Sequence, residues 1–65
     1  MSGDQDEMHR FRHDLANPLA ALLAETQLLL LNEASLDSET VQGLREIEAL
    51  ARRMRDMLAA TKPPA

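Results

Sequence analysis

Residues 8–31 read MHRFRHDLANPLAALLAETQLLLL, and the spacing of their apolar side chains decides the fold. Met8, Leu15, Leu22 and Leu29 recur every seven residues, flanked by Phe11, Leu19, Thr26 and Leu30. Side chains seven apart return to the same face of a helix, so this period marks an amphipathic helix with a bundle-type stripe. It predicts helix from Met8 to about Leu31. The next segment, Asn32 to Asp37, breaks the period with polar residues and offers Ser35 and Asp37 as capping residues, which reads as a turn.

A second stripe follows at Leu44, Ile47, Ala51, Met54 and Leu58, broadened by Val41, Leu50 and Met57. Arg45, Glu46, Glu48, Arg52, Arg53 and Asp56 fall on its other faces, again an amphipathic pattern. Asp37 is the preferred N-cap of this helix, and Glu39 sits in its first turn, where the helix dipole favours an acid. Gly43 weakens the helix by roughly 1 kcal/mol against Ala and leaves room for a close helix neighbour. Two helices of about 24 residues, each about 36 Å long, joined by a short turn form an antiparallel hairpin.

The expected fold class is therefore all-α. Residues 1–7, polar and acidic, read as a flexible tail; residues 8–61 as the hairpin; and residues 62–65, Lys62-Pro63-Pro64-Ala65, as a linker-like tail. A 65-residue chain buries little apolar surface on its own, and with no cysteine it has neither a disulfide nor a thiolate metal site to compensate. A lone hairpin also leaves half of each stripe wet. Two hairpins about a twofold axis close a four-helix bundle, so a homodimer is expected.

Composition narrows the function as well. The net charge is −4, and the only basic cluster is Arg52, Arg53 and Arg55, which argues against a nucleic-acid partner. The longest stretch without charge, Leu15 to Ala24, is ten residues, too short to span a bilayer. The acidic start is the reverse of a secretion signal, and a cytoplasmic location without membrane insertion is expected. No carboxylate cluster suits a magnesium site, and the two histidines, His9 and His13, lack a second group of metal ligands.

What remains is the window from His13 to Pro18. With Leu15 and Leu22 at the centre of the stripe and 100° per residue, His13 lies about 160° away, on the solvent side. Asn17 is one turn further on and shares that face, while Asp14 flanks the histidine. Asn17-Pro18 could start a new helix, since Asn is a favoured N-cap and Pro a favoured first residue. The stripe keeps its phase across Pro18, however, which favours one locally bent helix with an internal proline costing around 3 kcal/mol. An exposed imidazole beside a carboxylate suits phosphoryl transfer to nitrogen: the acid holds one ring proton while the other nitrogen attacks. An amide at Asn17 could orient a water for the reverse task, hydrolysis of a phosphorylated partner.

The run His13-Asp14-Leu15-Ala16-Asn17-Pro18-Leu19 resembles the H-box of the dimerisation and histidine-phosphotransfer (HisKA-type) domain of bacterial two-component sensor histidine kinases. The likeness covers Met8 to Thr61, the whole hairpin pattern. It implies that His13 is the phosphorylated residue, Asp14 the acid that assists, Asn17 the residue supporting phosphatase action, and Pro18 the helix-bending proline. It further implies a response-regulator receiver domain as phosphoryl acceptor and an ATP-binding domain, in cis or in trans, as donor, with ATP and Mg²⁺ held by those partners and no cofactor bound by this chain. Ala16 stands where the family often has a basic or polar residue, and His9 matches no functional position of the family. The 65 residues contain no glycine-rich lid or nucleotide-binding box, so the phosphorylating enzyme is expected elsewhere. Two other readings fit the same residues: a stand-alone histidine phosphotransfer protein, and a purely structural dimerisation hairpin.

Overall fold

The computed structural model describes residues 3–60, with side chains from Asp6 onward. Helix α1 runs Gly3–Leu30 and helix α2 runs Ser38–Ala60, with a short 3-10 turn at Glu33–Ser35 between them. The two helices pack against each other, and the chain is a rod of 53 × 16 × 16 Å. The all-α, two-helix architecture agrees with the sequence pattern. The start of α1 differs: it lies at Gly3, so residues 3–7, read from sequence as a tail, are helical. No proline or β-branched residue stands there to stop the helix growing outward from Met8. Thr61 and the linker-like stretch 62–65 lie outside the described residues.

The helix ends follow their local chemistry. Helix α1 has no glycine cap; its last carbonyls are taken up by Leu31 N–H, shared between Gln27 O at 3.1 Å and Leu28 O at 3.2 Å, and by the tightened bond from Asn32 N–H to Leu29 O at 3.1 Å. The hydroxyl of Ser35 donates to Asn32 O at 2.8 Å, which stabilises the turn and leaves the capping of α2 to Asp37. Asp37 Oδ1 accepts the Thr40 N–H at 2.7 Å, the N3 bond of an N-cap. Hydrogen bonds from Thr40, from its side chain first and its backbone second, hold the Asp37 carboxyl below its ordinary pKa. Arg45 and Glu33 pair at 2.7 Å across the turn, an exposed contact of small energetic weight.

The seam between the helices is narrower than the apolar stripes. Leu19 (6% exposed), Thr26 and Ala51 are its buried members, with Leu23, Leu30, Leu36, Val41, Leu44 and Leu58 half-buried around them. Thr26 satisfies its buried hydroxyl by donating to Leu22 O at 2.8 Å. Glu48 also lies at the seam and accepts from Gln27 of α1 at 3.4 Å and Arg52 of α2 at 3.3 Å. Leu15 (39% exposed) and Leu22 (51%), which sequence phase places at the centre of the buried stripe, are open in the single hairpin. Helix α2 covers only the flank of the stripe that carries Leu19, Leu23 and Leu30, roughly 80° round from Leu22. A Cβ built on Gly43 meets nothing within 4 Å, so the packing of α1 on α2 does not require this glycine.

Candidate functional site

Helix α1 passes through Pro18 without a break, so the window is part of one helix and not the start of a second. Pro18 has no N–H, and the carbonyl of Asp14, four residues earlier, therefore lacks its helical donor. His13, Asp14, Asn17 and Pro18 are all exposed. The phase of the helix sets His13 and Asn17 one turn apart on one face, about 40° round from each other, and sets Asp14 about 100° from His13. Among the described residues no hydrogen bond joins Asp14 to His13. The carboxylate is thus a sequence neighbour of the imidazole that the helix turns in a different direction.

The site has a second component that neither the period nor the motif signals. On the His13 side of the hairpin a groove of about 440 Å³ runs between the helices, lined by Ala16, Ala20, Leu23, Leu58 and Ala59. His9, Arg12, His13 and Arg55 line the same groove. His9, which sequence reading leaves as plain surface, is therefore next to the site. Arg12 occupies the seam position seven residues before Leu19, where a bundle pattern wants an apolar residue, and it is half-buried. Its Nε and Nη1 are buried with no hydrogen-bond partner among the described residues. Arg55 is exposed and pairs with Asp56 at 3.3 Å. The sequence signal for Arg12 was its place in the heptad, available once the seam was known to lie on the Leu19 flank.

The opposite side of the hairpin is apolar and open. Met8, Phe11, Leu15, Leu22 and Leu29 of α1 and Ile47, Leu50, Met54 and Met57 of α2 are each between 39% and 60% exposed. Viewed from the start of α1, its open stripe lies about a quarter turn anticlockwise of the direction to α2. Because α2 runs the other way, its own open stripe emerges on the same side, and the two form one face. His13 and Asn17 lie away from that face. Among the described residues no group of three or more His, Asp or Glu side chains is placed to hold a metal, and no helix is long and apolar enough to cross a membrane.

Comparison of the chain with protein-family models, with curated proteins and with solved structures gives no match.

Proposed function

We propose that this hairpin is a dimeric phosphoacceptor module of the two-component histidine kinase type, in which His13 receives the γ-phosphoryl group of ATP and passes it to an aspartate of a response-regulator receiver domain. The observation that carries the reading is the His13 to Pro18 window displayed outward on one continuous helix, with the open apolar face on the other side of the hairpin. A second copy can cover that face and leave both histidines accessible. In the first step an imidazole nitrogen of His13 forms a bond to phosphorus as the bond to the ADP oxygen breaks, and the ring proton passes to Asp14 or water. In the second the P–N bond breaks as an aspartate oxygen of the receiver domain takes the phosphoryl group. In-line placement matters more than covalent machinery in such transfers, which suits an exposed histidine on a stiff helix. The nucleotide, its Mg²⁺ and the acceptor aspartate belong to the partner domains. Asn17, on the same face, would position a water for regulator dephosphorylation.

Incubation with a compatible kinase ATP-binding domain and labelled ATP should place acid-labile, base-stable phosphate on the wild-type chain and none on His13→Gln. Absence of label on wild type would leave the purely structural hairpin as the better reading. Label together with a monomeric chain would favour the stand-alone phosphotransfer protein.

A further inference from the structure

We propose that Arg12, assisted by Arg55, forms a subsite for a tetrahedral oxyanion, a phosphoryl group, in the groove beside His13. A half-buried guanidinium with two unpartnered N–H groups is an unfavourable arrangement, because each buried donor has given up water and gained no acceptor. An anion entering the groove can complete these donors once the guanidinium turns outward from the seam. Within the groove, Arg12 and Arg55 bring two positive charges to the end lined by His9 and His13, and the exposed contact of Arg55 with Asp56 is one that a stronger acceptor can displace. Guanidinium groups bind phosphoryl oxygens through short charge-assisted hydrogen bonds, so this chemistry fits a phosphoryl group better than a neutral ligand.

The identity of the anion as the phosphoryl group carried on His13 rests on the phosphoacceptor reading, whereas the oxyanion affinity of Arg12 does not. The two are tested separately. Inorganic phosphate is titrated into the full 65-residue chain at fixed pH, with chloride at matched ionic strength as the control. Ring resonances of His9 and His13 and the Arg12 Nε–H resonance are followed by NMR. Saturable shifts with phosphate and not with chloride, including a downfield move of Arg12 Nε–H, are expected. Arg12→Gln, checked for helix content by circular dichroism, should raise the dissociation constant by about tenfold or more, as loss of charge-assisted bonds implies. Shifts that grow linearly and match those of chloride, an unmoved Arg12 Nε–H, or an unchanged constant in folded Arg12→Gln would overturn the subsite. The wild-type Nε–H readout stands even if the variant fails to fold. Phosphate binding in a wild-type chain that never takes covalent label from the kinase ATP-binding domain would sink the phosphoacceptor reading and leave the subsite standing.

Discussion

At the scale of single residues, His13 and Asn17 share a face yet should act in opposite directions on the phosphoryl group. Asn17→Ala is expected to leave acceptance at His13 intact, because the amide is not the nucleophile, and to slow dephosphorylation of the regulator about tenfold or more, the scale of a lost water-positioning group. Equal phosphatase rates for the variant and wild type would reject that role. The outward placement of these residues was legible in the sequence because helical phase alone fixes it, and Pro18 leaves the phase intact. Arg12 was not legible for a physical reason. An arginine on an amphipathic helix ordinarily carries its charge into water along an apolar stem, and only the covered flank of the stripe shows that here it stands in the seam. The proximity of His9 to the groove depends in turn on where α2 lies, which no local pattern contains.

Among the elements, α2 has the better-marked start and the clearer tests. Asp37 caps it as the sequence indicated, because the turn offers a carboxylate three residues before an otherwise orphaned N–H. A carboxyl whose folded pKa is depressed contributes stability that is present above its unfolded value and lost as pH falls through the folded value. Acidification below the ordinary aspartate range should therefore lower the melting temperature of wild type more than that of Asp37→Asn, which keeps an acceptor at the cap but cannot titrate. Parallel pH profiles for the two proteins would rule out the contribution. Gly43→Ala should raise stability by about 1 kcal/mol in urea unfolding, since the added methyl meets no neighbour within the hairpin and removes the backbone freedom of glycine. A lower midpoint would show that a further chain packs closely on that position. The start of α1 was less legible than that of α2. Residues 3–7 carry no apolar period to announce a helix, and their composition merely fails to stop one.

For the molecule as a whole, the hairpin is incomplete as a hydrophobic unit. Its accessible surface is 5403 Å², against about 4,100 Å² for a compact chain of the same mass, an excess of about 1,300 Å². Its radius of gyration is 15.5 Å, where a compact 65-residue domain has about 11 Å. A second copy on the open face would hide part of that excess from water. The apolar period showed how wide the stripes are, but could not say which flank α2 would take; Leu15 and Leu22 lie on the flank it leaves open. This division gives a selective test. Leu22→Glu puts a charge on the open face without touching the Leu19 seam, so it should leave the α1–α2 contact chemically intact while opposing association. Sedimentation should find wild type as a dimer at micromolar concentration and Leu22→Glu as a monomer. A dimer that exists only when folded is stabilised by mass action, so the wild-type melting temperature should rise with concentration and that of Leu22→Glu should not. Leu31→Glu is the control: Leu31 is 81% exposed beside the turn and lies about half a turn of helix from Leu22, off the proposed interface, so its dimer should persist. A wild-type chain that sediments as a monomer with a concentration-independent melting temperature would remove the dimer, and the open face would then need a different partner.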